Sequence, residues 1–247
     1  MRKMKWGIFI IIFFLCQCAT NRVSVSGSKP GSGESYVIFL ARGARLLEEK
    51  KYDEAISALL QASKLKPDSE KAYNFLGIGY FMKKNFAEAA TCFRKALTIN
   101  PAYPAAICNL GNLQFESGEI DAALATLSQG VSVFADDVAM HFSLGNILLH
   151  RGEIDAGFAQ LTRVMELDPG YLERERKFSL ETSASNIPRP EIFFRYARLY
   201  AAANNLEKTL DYLEKAKQSG FSDWQRIRQD DAFVLLRDDP QIRKYLE

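Results

Sequence analysis

The sequence is poor in the residues that catalysis and metal binding need. It has two histidines, His141 and His150, and four cysteines in 247 residues. It contains no His-Glu-x-x-His motif, no Cys-x-x-Cys pair and no EF-hand loop, and the Gly-x-Gly at 77–79 lies inside a helical pattern. The cysteines are too few and too scattered for a disulfide scaffold. The sequence therefore predicts a protein with no cofactor, no metal site and no catalytic residues, and not an enzyme.

A clustered positive charge is also missing. The formal net charge is +2, and three of the basic residues, Arg2, Lys3 and Lys5, precede an apolar run. Without them the chain has 29 basic and 30 acidic residues. Nucleic-acid binding requires a concentrated basic surface, so we do not expect nucleic acid as a partner.

The one long apolar run is at the N-terminus, where "WGIFIIIFFL" occupies residues 6–15. A helix of that length rises about 15 Å, roughly half of a bilayer's hydrocarbon core. With the basic residues before it, the run is typical of a secretory signal. The sequence thus predicts export of the chain.

The end of this segment, Leu15-Cys16-Gln17-Cys18, resembles a bacterial lipobox, although Gln17 stands where a small residue is usual. The resemblance implies that residues 1–17 are a lipoprotein signal peptide and that Cys18 is lipidated. Such an anchor would hold the protein at the bacterial outer membrane or a periplasmic face. An uncleaved short anchor, an ordinary signal with chance cysteines and lipidation of Cys16 remain as alternatives. Residues 18–35 are rich in Ser and Gly and predict a flexible tether.

A repeat of 34 residues organises the rest of the chain. Small residues recur at this spacing in two series: Gly43, Gly77, Gly111 and Gly145, and Ala55, Ala89, Ala123 and Gly157. Within each copy apolar residues recur at i, i+3, i+4 and i+7, which predicts amphipathic helices. One helix pair cannot bury both of its apolar faces, so neighbouring pairs must stack.

The second copy resembles the tetratricopeptide repeat (TPR) at its signature positions, namely Tyr73, Leu76, Gly77, Tyr80, Ala89, Phe93, Ala96 and Pro101. The other copies depart at single places, such as Gln114 where Tyr is usual. The resemblance implies an all-α fold, a TPR superhelical solenoid of antiparallel helix pairs. We expect four repeats over 36–169, approximately at 36–69, 70–103, 104–137 and 138–171.

The C-terminal part departs from the repeat. Residues 170–189 predict a connector, and residues 190–220 predict a fifth, degenerate TPR-like pair. Residues 221–247 predict a C-terminal helical cap, because an array end needs a cover for its last apolar face. The residues expected to form that cover are Trp224, Ile227, Phe233, Leu235, Leu236, Ile242 and Tyr245, and Asp239-Pro240 is typical of a helix start.

In the TPR family the first helix of each pair lines a concave groove that binds peptides. Carried over by position, the groove residues are Asn74, Ile78, Phe81, Cys108, Asn112, Phe115, Phe142, Asn146 and Leu149, with Phe194 and Arg198 extending the groove in the fifth pair. Ala139 and Ser143 stand where a carboxylate-gripping Lys and Arg would be, so we do not expect capture of a chain terminus. The alternative is that these side chains only pack or are covered by the tail. Cys92 and Cys108 lie on successive helices, either as a disulfide or as separate buried thiols.

The sequence thus favours a non-catalytic interaction scaffold, lipid-anchored and exported, that binds a segment of a client protein. A more specific alternative is a pilotin-like or assembly factor for an outer-membrane secretion or pilus machine. An enzyme with a TPR accessory domain ranks last, because no remaining segment is large enough for a catalytic domain.

Overall fold

The structure is a computed structural model that describes residues 32–174 and 189–247. The predicted signal peptide at 1–17, Cys18, most of the tether and the connector residues 175–188 lie outside the described residues. Within the described residues the chain forms helices and turns and no strand, which confirms the all-α prediction.

Helices follow one another as antiparallel pairs. The first three pairs are α1 (Ser32–Glu48) with α2 (Tyr52–Leu65), α3 (Glu70–Met82) with α4 (Phe86–Ile99), and α5 (Pro104–Glu116) with α6 (Ile120–Val133). The fourth is α7 (Val138–Arg151) with α8 (Ile154–Leu167), followed by the short α9 (Tyr171–Arg174). The fifth is α10 (Arg189–Ala202) with α11 (Leu206–Gln218). The tail contains α12 (Arg226–Gln229), a 3₁₀ turn (Asp231–Phe233) and α13 (Pro240–Arg243).

The described residues fall into two compact units. The N-terminal unit, residues 32–137, holds the first three pairs, and the C-terminal unit holds residues 138–174 and 189–247. In the N-terminal unit each pair packs on the next, α2 on α3 and α4 on α5. One difference from the sequence prediction is the start of α1 at Ser32, which makes the last residues of the predicted tether, 32–35, helical.

The turn inside each pair requires one residue in the left-handed backbone region. Lys50, Lys84, Gly118 and Gly152, spaced by 34 residues, have φ of 59°, 62°, 81° and 90°, and Asn204 has φ 54° in the fifth pair. Glycine adopts this conformation without steric cost, whereas a side chain on Cβ makes it unfavourable. Glycine therefore occupies the left-handed position in two of the pairs, and Lys or Asn, for which this conformation is less favourable, occupies it in the other three.

Glycine in the first helix allows the two helices of a pair to touch. A Cβ atom placed on Gly77 would lie 2.5 Å from the ring of Phe93, which is fully buried on α4. In the fourth pair a Cβ on Gly145 would lie 3.1 Å from the carbonyl oxygen of Gly157. The 34-residue recurrence of small residues thus marks the close contacts between the two helices of a pair.

The tail forms the predicted cap on the fifth pair. Ile227, Phe233 and Ile242 have no exposed surface, and Leu236 is 7% exposed. They pack with Phe194 and Leu213 of the fifth pair. The side chain of Asp239 accepts a hydrogen bond from the Gln241 backbone N–H at 2.8 Å, and Pro240 opens α13, as predicted.

One predicted member of the cap is wrong. Leu235 is 68% exposed, and its neighbour Val234 is 57% exposed. The 3₁₀ turn before them directs Phe233 and Leu236 inward, so the two residues between point to solvent.

Among the described helices, none combines the length and the apolar character that a membrane crossing requires.

Candidate peptide-binding face

The nine predicted groove residues lie on three first helices, as the repeat spacing requires. Helix α3 carries Asn74, Ile78 and Phe81; α5 carries Cys108, Asn112 and Phe115; α7 carries Phe142, Asn146 and Leu149. Six of the nine are buried, and Asn112, Phe115 and Phe142 are half-buried. The first two sets belong to the N-terminal unit and the third to the C-terminal unit.

Three of the apolar members are core residues of their own units. Ile78 and Phe81 are 3% and 7% exposed and pack in the core of the N-terminal unit, where the ring of Phe81 lies 5.5 Å from that of Phe86. Leu149, 2% exposed, packs in the core of the C-terminal unit. Their burial leaves little surface for a partner, so their contribution to a binding face is to support it.

Asn74 is engaged inside the protein. Its Oδ1 accepts a hydrogen bond from Asn109 Nδ2 at 2.9 Å, and both amides are buried. This bond joins α3 to α5 and offsets the cost of burying the two polar groups. Sequence reasoning missed Asn109; the signal was its offset of 35 residues from Asn74, which places it one position further along the next first helix.

The reachable part of the predicted face is smaller than the sequence suggested. On α5, Asn112 donates from Nδ2 to Cys108 Sγ at 3.7 Å, and half-buried Phe115 lies one turn further on. On α7, the half-buried ring of Phe142 meets Tyr171 of α9 edge-on, with 5.4 Å between ring centroids. Asn112, Phe115 and Phe142 are therefore the residues that a partner can contact directly.

Asn146 has a buried polar atom that the described part of the protein leaves without a hydrogen bond. It is 9% exposed, and its Oδ1 is buried with no hydrogen-bond donor among the described residues. It is the fourth-repeat counterpart of Asn112, which can donate to the thiol at position 108, whereas Phe142 fills the position corresponding to Cys108. A buried amide oxygen without a donor is costly in a folded protein, and a bound backbone N–H would satisfy it.

The fifth pair does not extend this face. Phe194 has no exposed surface; its ring stacks on Phe221 with centroids 4.4 Å apart and lies beneath the guanidinium of Arg226. Arg198 Nε pairs with Asp230 Oδ2 at 2.5 Å. The tail thus covers Phe194, whose assignment to the groove is wrong, whereas Arg198 stays exposed and is paired with Asp230 of the tail.

Electrostatic effects near the face come from burial. Desolvation raises the pKa of the Glu116 carboxyl, next to Phe115, above its ordinary value, and the positive charge of Lys84 opposes this. Burial also raises the pKa of the Cys92 thiol to about 11, with Glu88 adding to the effect. No disulfide joins Cys92 to Cys108. A thiol of this pKa stays protonated and unreactive at neutral pH.

The described residues offer no group of three side chains suited to hold a metal ion. Buried His141 makes a hydrogen bond from its ring Nδ1 to Gln160 Oε1 at 2.7 Å, which links α7 to α8. His150 lies exposed in the last turn of α7.

Comparison with known families agrees with the helix-pair architecture. Two family models described as tetratricopeptide repeat match the chain, one over residues 40–104 and the other over residues 80–147. Within each unit the chain forms antiparallel helix pairs with small residues at the contacts inside a pair. The two matches together span residues 40–147, and this part of the chain consists of tetratricopeptide repeats.

Similar proteins of known structure share the fold. A thermophilic TPR protein of Thermus thermophilus is 20% identical with a TM-score of 0.52, and the match covers 81% of this chain and 100% of that one. A MamA structure from Desulfovibrio magneticus is 15% identical with a TM-score of 0.51, covering 81% and 99%. A mutant O-GlcNAc transferase of Thermobaculum terrenum is 18% identical with a TM-score of 0.52, covering 56% of this chain and 27% of that one.

One curated relative matches a shorter part of the chain. The Drosophila melanogaster homolog of the BBSome complex member BBS4 is 28% identical over 98 residues. That match covers 40% of this chain and 20% of the relative's length.

Proposed function

We propose that this protein is a non-catalytic scaffold that binds an extended segment of a client protein along its first helices. The observation that carries the proposal is the buried, donorless Oδ1 of Asn146, one turn from the half-buried ring of Phe142. Rotation of the Asn146 side chain on binding would bring its amide oxygen to the surface, where a backbone N–H of an extended segment would supply the missing donor, and the ring of Phe142 would receive an apolar side chain beside it. Asn112 and Phe115 offer the same pair of residue types one repeat earlier.

The proposal makes Asn146 a residue that serves binding at the expense of stability. Replacing a side chain whose buried amide oxygen has no donor with an apolar side chain of similar size removes the desolvation cost of that oxygen. We expect Asn146→Leu to raise the free energy of unfolding by about 1 kcal/mol and to weaken client binding.

Asn74→Leu is the matched control. Its amide is already bonded, so the substitution leaves Asn109 buried without a partner and should destabilise the protein by about 1–3 kcal/mol. Urea unfolding of both variants measures this contrast. An Asn146→Leu variant that is less stable than wild type, or that binds the client equally well, contradicts the proposed role.

Aromatic contacts should dominate the affinity. Phe115→Ala and Phe142→Ala should each cost about 2–4 kcal/mol of client binding, whereas charges at the rim contribute well under about 1 kcal/mol. Phe134→Ala is a suitable control, because that half-buried ring lies at the end of a second helix, α6. The client is first captured from a membrane extract and then titrated against each variant. Full affinity in both groove variants, together with loss of binding at physiological salt, would locate the interface elsewhere.

The lipid anchor belongs to the same proposal. The lipobox-like "LCQC" supports lipidation of Cys18, which would hold the scaffold at a membrane while it captures its client. Cys18→Ser should abolish lipid labelling and release the protein from membranes. Labelling that persists in Cys18→Ser and disappears in Cys16→Ser would move the modification to Cys16. A client from a secretion or pilus machine would identify the protein as an assembly factor.

A further inference from the structure

The C-terminal tail contains a second polar site, remote in sequence from the first helices that the proposed function uses. A pocket of about 400 Å³ opens between α12, the turn after the 3₁₀ segment and α13. Its lining contains three arginines, and the full set is Arg228, Arg237, Asp238, Arg243, Leu246 and Glu247.

Two of the three guanidiniums are held in place by main-chain carbonyls. Arg228 Nη2 donates to the Leu246 carbonyl at 3.3 Å, and Arg237 Nη1 donates to the Arg228 carbonyl at 3.1 Å. Neither has a carboxylate within ion-pair distance in the part of the chain that the structure describes, whereas Arg243 Nη2 is paired with Asp238 Oδ1 at 2.7 Å. The pocket therefore presents two oriented guanidiniums that form no ion pair with another described residue, with Glu247 as the remaining carboxylate in the lining.

Arg237 also has an unsatisfied donor. Its Nε is buried and has no acceptor within the described residues. The Nε and Nη groups along one edge of a guanidinium form a fork that matches two oxygens of a planar or tetrahedral oxyanion. A shift of the Arg237 side chain that turns this edge toward the pocket would let an oxygen of the ligand satisfy the donor that the protein leaves unpaired.

We propose that this pocket binds a phosphate group. A phosphate monoester carries a charge of about −1.5 to −2 at neutral pH, which balances the two unpaired guanidiniums better than a single carboxylate does. The pocket is large enough for a phosphate with part of the group that carries it. Glu247 lines the same pocket and is an intramolecular competitor for the arginines.

The phosphate has two sources, a soluble phosphate compound or a lipid headgroup. Val234 and Leu235, the exposed apolar pair that precedes Arg237 in sequence, are suited to contact a lipid surface. The chemistry at the arginines is the same in either case.

The test is a titration of the full chain with inorganic phosphate, observed by NMR of the ¹⁵N-labelled arginine side chains. Sodium chloride holds the ionic strength constant, because nonspecific charge effects are screened equally by either salt. The Arg237 Nε–H signal should move saturably, with a Kd on the order of 1 mM. In the Arg237 variants the Nε–H signals of Arg228 and Arg243, which line the same pocket, report the binding instead. Arg237→Gln and Arg228→Gln should each weaken binding at least tenfold, and Glu247→Gln should strengthen it. The matched control is Arg42→Gln, an exposed arginine on α1, which should bind as wild type does.

Three results would contradict the proposed phosphate site. An Arg237 signal that does not saturate, or that responds equally to chloride, means that no phosphate site is present. Wild-type affinity in Arg237→Lys would show that the guanidinium fork is not used, since lysine keeps the charge alone. Far-UV circular dichroism and Trp224 fluorescence establish whether each variant is folded. If Arg237→Gln is not folded, the comparison with wild type is made with Arg228→Gln alone.

Vesicles identify the source. Binding to phosphatidylcholine vesicles that contain phosphatidic acid, with loss in both Leu235→Ser and Arg237→Gln, supports a lipid headgroup. Phosphate binding without vesicle binding supports a soluble phosphate compound. Equal binding to pure phosphatidylcholine vesicles by wild type and Arg237→Gln would overturn phosphate recognition at a lipid surface.

Discussion

The cap at the end of the array can be tested with two substitutions that lie two residues apart. Phe233 has no exposed surface, and its ring lies 5.8 Å from that of Phe194, whereas Leu235 is 68% exposed. Truncating a fully buried Phe to Ala costs about 3–5 kcal/mol, because transfer energy is lost and a cavity remains. Truncating an exposed Leu changes stability by about 0.5 kcal/mol or less. We therefore expect Phe233→Ala to destabilise the C-terminal unit strongly and Leu235→Ala to leave it nearly unchanged.

Trp224 provides a local signal for this experiment. Its ring lies 5.0 Å from those of both Phe221 and Tyr245, and the other tryptophan, Trp6, is absent from a chain of residues 32–247. Urea unfolding of that chain, followed by tryptophan fluorescence, reports the tail, and far-UV circular dichroism reports all the helices. If Phe233→Ala costs less than about 1 kcal/mol, or Leu235→Ala costs as much as Phe233→Ala does, the tail is not packed as described.

Two further predictions concern the turns and a carboxyl group. Lys84→Gly should stabilise the protein by about 0.5–1 kcal/mol, because φ is 62° at this residue. Gly118→Ala should destabilise it by about 1 kcal/mol, because φ is 81° there, although no atom lies near the added Cβ. Equal melting temperatures for the two variants would refute the argument that a side chain is strained at these positions. Because the folded-state pKa of Glu116 is raised, the folded chain holds this proton more tightly than the unfolded chain, and stability falls as pH rises from about 4.5 through the folded-state pKa. Glu116→Gln should therefore be more stable than wild type at neutral pH, with the difference disappearing below about pH 4.5; a difference that grows on acidification would refute this.

Much of the fold could be predicted from the sequence because its information is local and periodic. The 34-residue spacing of Gly77 and its counterparts marks the helix contacts, since only a small residue lets Phe93 approach the backbone of α3. The apolar period of each copy gave the helix pairs, and Asp239-Pro240 gave the start of α13, because capping depends on residues adjacent in sequence.

The candidate face was less predictable, because family position identifies the helix but not the exposure of a side chain. Ile78 and Phe81 hold groove positions in the repeat, but neighbouring helices bury them in the core. The spacing could not show that Asn74 is bonded to Asn109 while Asn146 Oδ1 has no donor, since that depends on which side chains of the adjacent helices come within hydrogen-bond distance.

The sequence by itself determined the class of fold, the number of helix pairs and the place of the cap, since each follows from residue spacing along one chain. Only the tertiary structure decided which polar groups are satisfied and which surfaces remain open. Packing put Phe194 under the tail and turned Leu235 to solvent. It also brought the Arg237 guanidinium to the Arg228 carbonyl, because the tail folds back between α12 and α13 and aligns residues nine apart in sequence.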